Sequence, residues 1–174
     1  MEFGPMIIED GLIQQGALKH RKTVRAIIKN DKNELLMVYS KWFDDYTFPG
    51  GGVKQDENEI DGLKRELKEE LGALSVEVKQ VVGQIQELRY GITGTDDVFL
   101  QTSKYYLCEI LQFGKQELIG REILHGIEPR WVKAEDALIQ NMKVMNNSHH
   151  QVKGLKTVLI RENNVLRALK GESS

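Results

Sequence analysis

A run of three glycines followed closely by an amphipathic helix constrains this chain more than any other segment. Residues 48–53 read FPGGGV, and one proline with three glycines cannot form a helix interior. This pattern predicts a strand end that runs into a loop with unusual backbone angles or a close approach by another group. Asp56 and Asn58 are candidate helix caps, each followed three residues later by an acid. The sequence therefore predicts a strand, a glycine loop and a helix in direct succession.

The predicted helix has one apolar face and an acidic margin beside it. Its apolar residues recur at steps of three, four and four, as in a helix packed on one side, and they are Ile60, Leu63, Leu67 and Leu71. Gly72 follows the last of them, at a position where helices end. Glu66, Glu69 and Glu70 share a surface at the rim of the apolar face, because about one helical turn separates Glu66 from the other two.

This acidic margin has two interpretations. Most runs of Glu and Lys form a solvated charged face, which is the ordinary interpretation. Like charges at this spacing destabilise an isolated helix, whereas a cluster of carboxylate oxygens is what Mg²⁺ or Mn²⁺ prefers. The glycine loop upstream and the spacing to Glu57 favour a metal-binding cluster.

Residues 51–73 resemble the Nudix box of the MutT-like pyrophosphohydrolases. That box reads Gly-x5-Glu-x7-Arg-Glu-U-x-Glu-Glu-x-Gly-U, where U is a bulky aliphatic residue. Every defined position is matched except the last, where Ala73 stands, and this departure affects packing and not metal ligation. The resemblance covers 23 of 174 residues. It implies an α/β fold of the Nudix type, an α/β/α sandwich with a mixed β-sheet between helices and the box as a loop-helix-loop.

The resemblance also implies a Mg²⁺- or Mn²⁺-dependent hydrolase acting on a nucleoside diphosphate linked to another moiety. It assigns metal binding to three carboxylates and one backbone carbonyl, those of Glu66, Glu69, Glu70 and Gly50. Arg65 and Glu57 complete the implied catalytic set and would orient the cluster. Arg65 as a purely structural residue that holds the loop is the alternative.

The general base and the substrate contacts stay open at this stage. Some members of the family take the base from a glutamate on a later loop, where Glu117 and Glu122 lie in the matching region. Solvated loop positions, with a box glutamate as the base, are the alternative. Arg25 and Arg89 are candidate phosphate contacts or else surface ion pairs. Tyr46 lies three residues before the proline, where many members have Trp, and either contacts substrate or packs.

The expected substrate is a (deoxy)nucleoside triphosphate. The sequence lacks the proline associated with ADP-ribose hydrolases and the SQPWPxPxS-like array of the NADH group. A nucleotide sugar, ADP-ribose or a dinucleoside polyphosphate is the alternative substrate. A non-catalytic nucleotide-binding module is the competing class, but such modules usually lose box acids that this chain keeps.

The composition limits the classes of partner and the cellular location that are expected for this protein. A net charge of −2 gives no support for nonspecific binding to nucleic acid or acidic membranes. Cys108 is the single cysteine, so no internal disulfide can form and a reducing cytoplasm is the expected location. No apolar run approaches the roughly 18 residues of a membrane span. The resemblance adds a homodimer as a frequent state.

A length of 174 residues fits one domain. We expect an extension over residues 1–21, with a hairpin around Asp10-Gly11 or a dimer contact, and a Nudix domain over 22–174. The strands at 22–29 and 34–39 should pair as a first hairpin. Residues 75–90 should form one long strand or two strands broken near Gly83. Alternation and turn residues predict strands at 22–29, 34–39, 75–90, 98–111 and 130–132, and helices from Ala134 and over 152–169.

Overall fold

The computed structural model describes residues 1–13, 18–90, 97–117, 123, 125–147 and 154–172. Within these ranges, the strands are β1 (Ile7–Ile8), β2 (Leu18–Ile27), β3 (Leu35–Ser40), β4 (Asp45–Thr47), β5 (Gly50–Gly52), β6 (Ala73–Tyr90), β7 (Val98–Phe113) and β8 (Ile127–Val132). The helices in the same ranges are α1 (Glu59–Leu71), α2 (Ala134–Met145) and α3 (Leu155–Glu172).

The strands form two sheets with helices packed around them. One sheet has the order β1-β6-β7-β2-β5 and the other the order β4-β3-β8. The larger sheet is mixed, because β2 runs parallel to β7 and antiparallel to β5. This confirms the predicted α/β class with mixed strands between helices.

The predicted first hairpin is wrong. β2 pairs with β5 and β7, whereas β3 pairs with β4 and β8, and a bridge between Lys29 and Leu35 marks the point where they diverge. Beyond this bridge, β3 leaves β2 and becomes the central strand of the smaller sheet. Its residues Leu35 and Met37 enter one core cluster, while Leu36 and Val38 enter the other, so both faces of β3 are buried there.

The predicted N-terminal hairpin is also wrong. β1 runs parallel to β6, with Ile7 opposite Glu87, and Leu12 and Ile13 form no strand. Phe3 and Ile7 are buried in the main core, and this apolar contact draws the first residues onto the larger sheet.

The β6–β7 ribbon confirms the predicted long strand and its pairing. β6 is one strand with register shifts, one of them between Val81 and Gly83, near the expected break. A Cβ on Gly83 would lie 2.7 Å from the Phe3 ring and 2.8 Å from the Met1 carbonyl oxygen. The glycine therefore lets the N-terminal residues approach β6 closely.

Helix α1 begins and ends where its sequence predicts. The Asn58 side chain accepts a hydrogen bond from the Asp61 N–H at 2.8 Å, and Gly72 closes the helix with a φ of 70°. Leu63, Leu67 and Leu71 are buried against the larger sheet. This packing holds the acidic margin of α1 beside β5.

Candidate active site

A cleft of about 700 Å³ runs from the glycines of β5 and the acidic margin of α1 to helix α3. Carboxylates lie at one end, where the lining includes Glu66, Glu69 and Glu70. Arginines also line it, among them Arg25 on β2 and Arg89 on β6. Of the predicted box residues, Gly50, Arg65 and the three glutamates line this cavity together with both predicted arginines, whereas Glu57 is not part of the lining.

The β5 glycines are required by the closeness of their neighbours. Gly50 has a φ of 143°, and a Cβ there would collide with the backbone of Val24. Its N–H donates a 2.7 Å hydrogen bond to the buried carboxylate of Glu70. A Cβ on Gly51 would lie 2.6 Å from the Glu66 carboxyl group. The glycine loop thus seats two of the three glutamates directly against the backbone.

Arg65 ties the loop, the helix and the acids together. Its guanidinium donates to both oxygens of Glu57 at 2.8 and 3.0 Å and to the Gly52 carbonyl at 3.1 Å. It also donates to Glu66 at 3.0 Å and, weakly, to Glu69 at 3.5 Å. The hydrogen bonds from Arg65 lower the pKa of Glu57 to about 2. The same bond to Glu57 raises the pKa of Arg65, so this pair stays charged at neutral pH.

Glu66 is electrostatically different from Glu57. Burial raises its pKa, while the hydrogen bond and charge of Arg65 oppose the rise and the charge of Glu69 adds to it. Further positive charge in the cleft would therefore stabilise the ionised form of Glu66.

The donor chemistry of the three glutamates suits a divalent cation. Three carboxylates supply the hard oxygens that Mg²⁺ and Mn²⁺ prefer. Arg65 engages only one oxygen of Glu66 and one of Glu69, and the second oxygens accept no hydrogen bond from the described residues. Among the residues that the structure describes, no three His, Cys, Asp or Glu side chains converge in the geometry of a metal site. The donor set fits such an ion, and coordination requires these side chains to turn towards it.

Two further sequence candidates, Tyr46 and Glu117, lie outside the cleft lining, and a third is not among the described residues. Tyr46 is not among the cleft residues: it lies between Asp45 and Thr47, which do line the cleft, and side chains alternate along a strand. Its ring contacts Tyr39 at 5.3 Å instead, which supports the packing alternative. The Glu117 side chain is exposed and lies outside the cleft lining, although its N–H donates to the Glu69 carbonyl at 2.8 Å. Glu122 lies outside the described residues.

Helix α3 contributes residues that the sequence prediction missed. Arg161 and Glu162 are fully buried in the middle of that helix, and Arg161 lines the cleft. Arg161 forms ion pairs with Glu162 at 3.3 Å and with the buried Glu87 of β6. The sequence signal for these residues was the charged pair Arg161-Glu162 within the apolar pattern of the helix predicted over residues 152–169.

Asp45 was also missed. It is buried in the wall of the cleft, and burial raises its pKa from 3.8 to about 7, with the charge of Glu162 as the next cause. This carboxyl group is therefore partly protonated near neutral pH and can both donate and accept a hydrogen bond there.

The fold and the cleft define an α/β protein with a carboxylate cluster held on a glycine loop. The family model for the NUDIX domain matches residues 19–152, and the chain belongs to that family. This confirms the resemblance seen in residues 51–73. Members of the family generally use a divalent metal ion.

Curated relatives match only part of the chain. The RNA pyrophosphohydrolase of Hahella chejuensis is 38% identical over 71 residues, which are 41% of this chain and 44% of that protein. The chain thus spans less than half the length of the curated relatives it matches.

Solved structures agree on the fold. The NUDIX hydrolase from Nitrosomonas europaea superposes with a TM-score of 0.56 at 17% identity, over 84% of this chain and 90% of that one. The MutT protein from Methanosarcina mazei Go1 superposes with a TM-score of 0.53 at 16% identity, over 92% and 99%. None of the helices in the described ranges is long and apolar enough to cross a membrane. The cytoplasmic location and the homodimer stay predictions.

Proposed function

We propose that this protein is a Mg²⁺- or Mn²⁺-dependent pyrophosphohydrolase that cleaves a phosphoric anhydride in a nucleoside diphosphate linked to another moiety. A (deoxy)nucleoside triphosphate is the first substrate expected. The observation that carries the proposal is the placement of Glu66, Glu69 and Glu70 at one end of a cleft, against glycines that leave the backbone bare. The family membership of the chain supports it.

The acid end of the cleft suits phosphate chemistry only with added positive charge. A divalent ion held by Glu66, Glu69, Glu70 and the Gly50 carbonyl would, when bound, neutralise phosphate charge and act as a Lewis acid. Arg65 keeps these groups in place through its bonds to Glu57, Glu66 and the Gly52 carbonyl. The absence of side chains at the β5 glycines lets a phosphate chain lie close to the backbone.

Hydrolysis also needs a group that accepts the proton of the attacking water. Water adds to one phosphorus, the anhydride P–O bond breaks with its electron pair going to the leaving phosphate, and the proton goes to a carboxylate. A box glutamate is favoured over Glu117 for this role, because the box glutamates line the cleft while the Glu117 side chain is exposed outside the lining.

Apolar side chains offer a surface to the rest of the substrate. The apolar side chains of the same cleft include Phe43, Ile127, Leu155 and Val158. A mostly apolar wall with a few polar groups is typical of sites for bases and sugars. This supports a nucleotide over a simple polyphosphate.

A second candidate substrate is the 5′-triphosphate end of RNA. Its support is that the curated relatives, which match 41% of this chain, are named RNA pyrophosphohydrolases. The net charge of −2 supplies no general attraction for RNA. A 5′-triphosphorylated oligonucleotide therefore belongs in the same test as the free nucleotides.

The test is a substrate panel with Mg²⁺, scored by product identity. It spans nucleoside triphosphates, ADP-ribose, nucleotide sugars, dinucleoside polyphosphates and 5′-triphosphorylated RNA, for wild type and for Glu70→Gln. Gln can still accept the hydrogen bond from Gly50, so we expect an intact fold and a rate lower by about 100-fold or more. Chelation with EDTA should abolish the wild-type rate.

Glu109→Gln is the matched control, since Glu109 is exposed on β7, lies outside the cleft lining and forms an ion pair with Lys79 at 3.1 Å. Wild-type rates in Glu70→Gln, or full activity in EDTA, would refute the ligand assignment. Tight binding of one panel member without turnover would instead favour a binding module.

A further inference from the structure

A buried polar layer lies between the larger sheet and helix α3. On the sheet, Arg25 of β2 lies opposite Tyr105 of β7, and Gln101 of β7 lies opposite Glu87 of β6. Alternation along β6 places Arg89 on the same face as Glu87. Helix α3 covers this face with Arg161 and Glu162. Such a layer is unusual, because buried charges are costly unless they are paired.

The two carboxylates of this layer are already fully engaged. Glu87 accepts hydrogen bonds from Arg89 at 3.1 Å, from Gln101 at 2.8 Å and from Arg161. Glu162 accepts from the Tyr105 hydroxyl at 2.7 Å and from Arg161 at 3.3 Å, and the Phe48 N–H also donates to it at 3.1 Å.

Two of the three guanidinium groups are less completely satisfied, whereas Arg89 donates from each nitrogen, to Glu87, to the Tyr90 carbonyl and to Gln101. Arg25 donates to the Phe48 carbonyl at 2.8 Å and lies 3.8 Å from Glu162. The buried Nε atoms of Arg25 and Arg161 have no hydrogen-bond partner among the described residues. Burial lowers the pKa of Arg89, and the charges of Arg161 and Arg25 lower it further against the opposing effect of Glu87. The three cations therefore repel each other across the layer.

Within this layer, three guanidinium groups face two carboxylates. Two acids outside it also interact with its members: Asp45, whose pKa is raised to about 7, and Glu66 of the carboxylate cluster, whose pKa the charge of Arg25 lowers. Arg25, Arg89 and Arg161 all line the cleft, and their side chains are 14%, 6% and 1% exposed. An anion placed there would supply the missing negative charge and acceptors for the guanidinium donors.

We propose that Arg25, Arg89 and Arg161 form an anion subsite in the cleft that binds a phosphoryl group of the substrate not held by the carboxylate cluster of α1. This deepens the proposed function and rests on it, because the subsite serves the same substrate. The phosphoryl group has two sources, a neighbouring phosphate of the same polyphosphate chain or a phosphate elsewhere on the substrate. The chemistry is common to both, and the experiment separates them.

The test measures binding without catalysis. Inorganic tripolyphosphate is titrated calorimetrically in EDTA into wild type, Arg25→Gln, Arg89→Gln and the control Arg130→Gln. Arg130 is an exposed arginine outside the cleft lining that pairs with Glu128. We expect affinity at least tenfold lower for Arg25→Gln and Arg89→Gln and unchanged within twofold for Arg130→Gln. No binding to wild type, or equal affinity in all four proteins, overturns the subsite.

Folding is controlled by thermal unfolding of each variant. Arg25 is the safer position, because its side chain is partly exposed and its hydrogen bond goes to a carbonyl and not to a buried carboxylate. Arg25→Lys keeps the charge and should retain more affinity than Arg25→Gln. If Arg89→Gln does not fold, the comparison of Arg25→Lys with Arg25→Gln tests the subsite alone. Equal affinity of these two variants and wild type would then refute the proposal.

Two nucleotide ligands separate the sources of the phosphate. Guanosine triphosphate has only contiguous phosphates, whereas a 5′-triphosphorylated dinucleotide carries a second phosphate beyond the sugar. An equal loss of affinity in Arg25→Gln assigns the subsite to the triphosphate chain, and a larger loss for the dinucleotide assigns it to the distant phosphate. No turnover of any panel member by wild type, together with arginine-dependent binding, would refute only the proposed hydrolysis. Turnover by wild type that is lost in Glu70→Gln, together with binding that does not depend on the arginines, would refute only the subsite.

Discussion

Replacing Asp45 with Asn should make the protein more stable, and the gain should grow with pH. Burial is the main cause that raises the pKa of this carboxyl from 3.8 to about 7, followed by the charges of Glu162 and Asp44. The folded protein therefore keeps a proton on Asp45 that the unfolded chain releases above pH 4. Because the unfolded state binds fewer protons in this interval, the free energy of unfolding falls as pH rises from 4 to 7.

The magnitude follows from the difference in pKa. A shift of about three units at about 1.36 kcal/mol each amounts to about 4 kcal/mol, fully expressed above pH 7. Water in the cleft and small rearrangements reduce this figure, so we expect Asp45→Asn to gain about 1 to 4 kcal/mol over wild type at pH 8. At pH 4 the two proteins should differ little, since Asn has the shape of the protonated carboxyl.

The assay is urea unfolding at intervals from pH 4.5 to 8, with the free energy of unfolding compared at each pH. Asp31→Asn serves as the control, because Asp31 is an exposed residue of the turn between β2 and β3. Its stability should follow wild type with a constant offset. Parallel profiles for wild type and Asp45→Asn across this range would refute the reasoning, and so would a gain that shrinks as pH rises.

Two further substitutions test the box. Gly51→Ala places a Cβ 2.6 Å from the Glu66 carboxyl, so turnover should fall at least about tenfold while the melting temperature changes little. In Gly52→Ala the new Cβ lies 3.1 Å from the end of the flexible Arg21 side chain, so this control should lose less turnover in the same steady-state assay. Arg65→Lys loses the fork that bonds Glu57 and should lower the free energy of unfolding by about 1 kcal/mol at pH 7. The Arg65–Glu57 pair stabilises the fold fully above pH 4.5 and progressively less as pH falls to 2. The difference in unfolding free energy between wild type and Arg65→Lys should therefore shrink in acid. A difference that stays constant with pH would contradict this prediction.

Local sequence signals predicted the box and its helix well. Asn58 and Gly72 mark the ends of α1, and the spacing of Glu66, Glu69 and Glu70 places them on one margin of the helix. These features depend on residues within about one helical turn, so no distant contact is needed to establish them. The contact of Arg65 with Glu57 spans eight residues and also follows from the box pattern.

Strand pairing was predicted less well. The alternation in residues 22–29 and 34–39 is compatible with a hairpin and with two separate sheets, because period two identifies a strand and not its partner. Only the tertiary structure, in which β3 pairs with β4 and β8, decides between them. Tyr46 shows the same limit, since its neighbours Asp45 and Thr47 face the cleft and only the observed pairing reveals which face that is.

By itself, the sequence determined the family, the glycine loop and the carboxylate cluster, because their geometry comes from short-range spacing and backbone freedom. Tertiary structure alone decided the arginine layer and the protonation of Asp45. Arg161 meets Glu87 across 74 residues of chain, and the pKa of Asp45 depends on its burial and on the charge of Glu162, which lies on α3. Burial and long-range charge pairing belong to the packed molecule, and no local pattern of residues contains them.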